Sequence, residues 1–73
     1  MQLFVIPKSL NQRGNLVTGS LGKEDGTPLL YNNKPIVFTF DRDTKADIFI
    51  PESLEPIYSL IEDAVMRYFV GRK

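Results

Sequence analysis

Asp41, Asp43 and Asp47 fall within one stretch, FTFDRDTKADIFI, between two apolar runs. Carboxylates this close together can hold a divalent cation, or supply the acid and base of a reaction. The spacing fits neither use. A calcium loop places an oxygen donor at its fifth position, and Lys45 stands there. It also needs a central glycine and a distal bidentate glutamate, and neither is in register. Arg42 and Lys45 balance the acids locally. Short polar side chains favour turns by bonding nearby backbone. The stretch therefore reads as a turn between strands that holds no metal.

Asp41-Arg42-Asp43-Thr44 also spells D-x-D-T, which resembles the nucleophile motif of the haloacid-dehalogenase family. That family needs a large parallel α/β domain with further acids and a lysine, and this chain is too short to build one. Gly19-Ser20-Leu21-Gly22 lacks the spacing of the phosphate-binding loops, and no helix follows it. The chain has neither cysteine nor histidine, which removes thiolate chemistry, the commonest general base and the commonest zinc ligand. Ser9, Ser20, Ser53 and Ser59 have no histidine to activate them, so a serine–lysine pair is the one nucleophile arrangement left open. No enzymatic activity and no cofactor are expected. Tyr31, Phe38, Phe40 and Phe49 lie on candidate strands, as the aromatics of single-strand nucleic-acid platforms do. Here they neighbour acids, which favours core packing or an exposed sheet face over base stacking. Tyr58, Tyr68 and Phe69 are likewise assigned to the core.

The elements that would position these residues belong to one small domain spanning 1–73. An apolar fraction of 42% argues for a folded chain. No apolar run approaches the roughly 20 residues of a membrane helix. The start, MQLFVIPKSL, lacks a basic segment followed by a long apolar one, so no secretory leader is expected. Nine basic and nine acidic residues cancel, which argues against tight, salt-driven nucleic-acid binding. The charges are unevenly placed. Residues 1–23 carry Lys8, Arg13 and Lys23 and no acid, whereas 41–63 carry seven acids against Arg42 and Lys45. Such polarity suits a protein partner with a complementary surface.

Leu3 to Ile6 reads as a buried strand ended by Pro7. Pro7 to Asn15 reads as a loop, and Asn15 to Leu21 as a weak strand with a bulge or bend at Gly19. Gly22 to Gly26 is the strongest turn signal. Pro28 to Tyr31 is a short strand, and Asn32 to Pro35 a turn in which asparagine tolerates left-handed backbone. Ile36–Phe40 and Ala46–Ile50 form a hairpin, with Phe38, Phe40, Ile48 and Ile50 on alternating positions. Ser53 is the expected N-cap of a helix over about 53–69, with Glu52 and Glu55 at its positive end. Leu54, Ile57, Tyr58, Leu60, Ile61, Ala64, Val65, Tyr68 and Phe69 make its apolar face. Gly71 ends it, with Arg67, Arg72 and Lys73 nearby. The expected fold is α+β: an antiparallel meander of about four or five short strands, within 2–50, packed against one C-terminal helix.

In length, neutral charge, lack of cysteine and histidine, and sheet-plus-helix plan, the chain resembles the small accessory regulators of lytic phages that bind host RNA polymerase. The resemblance implies a non-enzymatic, monomeric protein of the host bacterial cytoplasm. Its partner would be a host RNA polymerase subunit. It would inhibit initiation at host promoters and promote antitermination. The alternatives are a phage counter-defence inhibitor of a host nuclease and a small nucleic-acid-binding module. The residues propose a contact surface of their own. Leu3, Phe4 and Val5 form a candidate edge strand, and Arg42, Asp43, Lys45, Glu52 and Glu55 would supply flanking charge.

Overall fold

The alternating stretch Leu16–Gly22, weak by residue type, forms the longest strand of the protein, β3. It owes its length to partners on both sides. The computed structural model describes residues 2–71. In chain order the strands are β1 (Phe4–Val5), β2 (Asn11–Arg13), β3, β4 (Leu30–Tyr31), β5 (Lys34–Pro35), β6 (Val37–Asp41) and β7 (Ile48–Phe49). One helix, α1, spans Tyr58–Phe69. The main sheet runs β1-β3-β6-β7, all antiparallel, and β2 joins the same side of β3 as β1. This is the expected antiparallel α+β meander with one C-terminal helix.

The polar segment expected to be a loop contributes a strand. Asn11, Gln12 and Arg13 pair with Thr18, Val17 and Leu16 across the tight turn at Gly14 and Asn15. Polar residues serve here because every one of them is exposed. Between β1 and β2 the chain makes a 3-10 turn at Pro7–Ser9. Ser9 repairs the ladder there: its hydroxyl donates to the Ile6 carbonyl (2.6 Å) and accepts from the Ser20 N–H (2.8 Å).

Gly19 produces no bulge, since its register with Phe38 continues unbroken. It is small because Leu10 and the Phe38 ring crowd the space where a Cβ would stand. The expected turn at Asn32 also carries a strand on its far side, giving the two-stranded β4–β5 arm. Asn32 (φ 52°) and Asn33 (φ 66°) occupy its two loop positions, as hairpin turns with positive φ at both central residues require.

The helix starts later than its apolar spacing predicts. Glu52–Ile57 winds as a 3-10 segment containing Pro56, and the α-helix begins only at Tyr58. Proline lacks the N–H an α-helix needs, and its ring clashes with the carbonyl four residues earlier. Ser53 therefore lies inside the 3-10 segment; neither it nor any other side chain caps either helical start. At the far end Gly71 takes φ 73°, the left-handed conformation expected after a helix. Arg72 and Lys73 lie outside the described residues.

The core lies between the helix and one sheet face. Leu3, Leu21, Ile36, Phe38, Phe40, Leu54, Ile61 and Val65 are its most completely buried large side chains. Phe69 stacks on Phe40 (centroids 4.9 Å, planes 15° apart) and meets Phe38 edge-on at 6.2 Å. Tyr68 departs from the expected core: it is 47% exposed, with its ring against the outer side of Phe69.

Gly22 lies directly against the backbone of Thr27 and Pro28. A Cβ there would collide with the Thr27 carbonyl oxygen and stand 2.9 Å from Pro28 Cα. Both obstacles are backbone and cannot swing aside. Gly22→Ala is expected to cost about 2–3 kcal/mol, lowering the midpoint of thermal unfolding by roughly 10–20 °C; calorimetry measures it.

Candidate functional site

The aspartate-rich stretch is held as a turn by its own side chains. Asp41 Oδ1 accepts from the Asp43 N–H (2.9 Å), and the Asp41 carbonyl accepts from the Lys45 N–H (3.0 Å). Thr44 Oγ1 accepts from the N–H groups of Ala46 (3.3 Å) and Asp47 (3.1 Å). Lys45 sits at φ 59°, a conformation that disfavours a side-chain-bearing residue. Among the described residues no three acidic side chains converge as a metal site. Asp41 works as a turn former, and Asp43, Arg42 and Lys45 project into solvent. Arg42 reaches across to Gln12 Oε1 (3.1 Å), tying this turn to β2.

The residues proposed for contact separate into two groups at opposite edges. β1 is an outermost strand, as expected for Leu3 to Val5. Leu3 and Val5, however, turn their side chains into the core, and Phe4 is half-buried beneath the Arg67 guanidinium at 5.2 Å. The Leu3 carbonyl accepts from Arg67 (3.3 and 3.4 Å), and Asp63 holds the same guanidinium at 2.7 Å. This edge is thus partly closed by the protein itself.

Arg42, Asp43 and Lys45 precede β7, whereas Glu52 and Glu55 follow it. All five are exposed. Asp43, Lys45, Glu52 and Glu55 flank the opposite edge, three strand spacings or about 14 Å from β1, whereas Arg42 bonds the Asn15 carbonyl and Gln12 at the β2–β3 turn. The structure therefore gathers four of the charged residues around β7 and sets Arg42 beside β2.

Two open depressions meet at β7. One, of about 570 Å³, lies on the sheet face away from the helix and is lined by Ser9, Thr18, Ser20, Val37, Thr39 and Phe49 among others. The second, of about 470 Å³, runs between the strand and the start of the helical segment, bordered by Ile48, Phe49, Ile50, Glu55 and Tyr58. Phe49 is 55% exposed between them. Its alternation with Ile48 and Ile50 was legible in the sequence, and the structure shows that its side is the outer one. The roles of Tyr58 and Asp47 were not legible, because they depend on where the helix lands.

Tyr58 reports the character of this edge. Partial burial pushes its phenol above the ordinary 10.0, and the negative charges of Glu62 and Asp47 push it the same way. Of the four strand aromatics only Phe49 is well exposed. Phe38 and Phe40 are buried and Tyr31 packs against the core, so they build no stacking platform.

No protein-family model, curated protein or solved structure matches the chain. The fold defines the class alone: a small antiparallel α+β domain with one helix.

Because the Tyr58 phenol is raised in the folded state, its contribution to stability is intact below about pH 10 and lost as pH rises through the folded value. The phenolate absorbance lost in Tyr58→Phe identifies its titration. Glu62→Gln is expected to move that titration to lower pH.

Proposed function

We propose that this chain is a non-enzymatic regulator made by a lytic phage, acting in the host bacterial cytoplasm by binding RNA polymerase. It inhibits initiation at host promoters and promotes antitermination. The observation that supports a protein-binding role is the β7 edge, where an exposed phenylalanine lies between two depressions and is bracketed by exposed charges of both signs. Exposed aromatics with a charged rim are the common composition of protein-binding patches. Burial of Phe38 and Phe40 in the core weighs against the nucleic-acid module. The choice of polymerase is supported by the resemblance in length, charge and composition to phage transcription regulators.

The test is binding of the purified chain to bacterial RNA polymerase at two salt concentrations, with transcription from a host promoter through a terminator as the activity readout. The wild type is expected to bind, to reduce initiation and to increase read-through. Arg42→Glu combined with Lys45→Glu is expected to weaken binding by roughly tenfold, mainly through a salt-sensitive on-rate. The variant should stay folded, because both side chains are exposed. Absence of wild-type binding removes polymerase as the partner. Equal binding by both proteins removes Arg42 and Lys45 from the interface.

A further inference from the structure

The hydrogen-bond register identifies which main-chain groups β7 leaves free. The Asp41 N–H donates to the Asp47 carbonyl (3.0 Å), and Phe40 and Thr39 face Ile48 and Phe49. Antiparallel pairs alternate between hydrogen-bonded and non-hydrogen-bonded. Asp47 and Phe49 therefore direct their N–H and C=O groups toward β6, and Ile48 and Ile50 direct theirs away from it. No loop or cap hydrogen bond between backbone groups of the described residues uses the N–H or C=O of Ile48 or Ile50. β7 is also the last strand of the sheet. Unpaired outward groups on an edge strand are a template for an added strand.

The side chains around this edge differ on its two sides. Phe49 points to the outer sheet face, where an apolar partner residue would pack. Ile48 and Ile50 point to the helix side, where the depression is bordered by Glu55 and Tyr58. Residues 43–66 carry six acids against one base, Lys45. Asp63 is engaged by Arg67, whereas Asp47, Glu52, Glu55 and Glu62 remain exposed. A strand added here would meet apolar surface on one face and negative charge on the other, and its own side chains alternate with the same period.

We propose that the β7 edge is a strand-addition site for an extended segment of a partner protein that alternates apolar and basic side chains. This deepens the protein-binding reading above and rests on it: Glu52 and Glu55, after β7, face the basic segment, while Arg42 and Lys45, before it, meet a separate acidic surface of the same partner. A second copy of this chain is a poor occupant, because β7-to-β7 pairing would bring two sets of Asp47, Glu52 and Glu55 together.

The experiment uses the full chain, isotopically labelled, titrated by nuclear magnetic resonance with a short peptide alternating lysine and valine. One control peptide is N-methylated along its backbone, and a second carries glutamate in place of lysine. Saturable shifts at the Ile48, Phe49 and Ile50 amides, lost with both controls, are the expected result. Glu52→Lys combined with Glu55→Lys is expected to weaken the peptide by about tenfold, with the amide spectrum of Phe38 and Phe40 unchanged. Four results would overturn the proposal: no shifts, shifts confined to the outer face at Thr18 and Thr39 or to β1, equal binding of the N-methylated peptide, or self-association through the same amides. The two readings fail separately. Polymerase binding without peptide at β7 keeps the regulator and removes this edge, whereas peptide at β7 without polymerase binding does the reverse.

Discussion

The packing of Phe69 against Phe38 and Phe40 is the contact on which the rest of the molecule depends. It is made between the last turn of α1 and the middle of β6, a strand paired on both sides. Phe38 and Phe40 are each 2% exposed. Deleting one buried phenylalanine side chain costs about 3–5 kcal/mol, against a total stability of roughly 4–11 kcal/mol for a chain of this length. With no cysteine to form a disulfide, the small core has to hold the fold by packing. Arg67 adds a polar tie beside the aromatic contact, joining the helix to the Leu3 carbonyl while Asp63 fixes its orientation.

A single helix covers a single sheet face, and this one packs on the side of Leu21, Phe38 and Phe40. The opposite face keeps Leu16, Val37 and Phe49 in solvent beside Thr18, Ser20 and Thr39. The two ends of the sheet are treated differently. The first is interrupted by the Pro7–Ser9 turn and occupied by Arg67, two devices that discourage added strands. The second ends at β7, where Pro51 stops the pairing and the chain leaves toward the helix with its acids exposed. β2, on the same side as β1, is likewise paired only to β3, and it carries no exposed aromatic.

Legibility varied with the range of the interactions involved. Local signals were sufficient for the turn at Asp41, where side-chain oxygens bond N–H groups two or three residues away, and for the turn at Asn32 and Asn33, where both φ angles are positive. Period-two alternation was sufficient to put Phe38 and Phe40 on one side of their strand and Phe49 opposite Ile48 and Ile50, and the structure shows which side is buried. Helical spacing named Leu54, Ile61, Ala64 and Val65 as core. It misjudged Tyr68, because an apolar stripe marks a direction on the helix, and only the width of the sheet beneath decides how much of the stripe is covered.

What required the tertiary structure was everything set by distant partners. Asn11 to Arg13 are strand because β3 offers unpaired groups beside them, although their residue types favour a loop. Gly19 is small because Leu10 and Phe38 converge on it from separate segments. The charged residues Asp43 to Glu55 were visible as a polarised stretch, but their assignment to β7, across the sheet from Leu3 to Val5, follows from strand order. Pairing order is decided by which hydrophobic faces can be buried together, a property of the whole chain that no local window contains. The sequence by itself thus determined the class of fold, the turns and most of the helix's buried stripe. The tertiary structure decided which strands became edges, because an edge is free only when no other part of the chain reaches it.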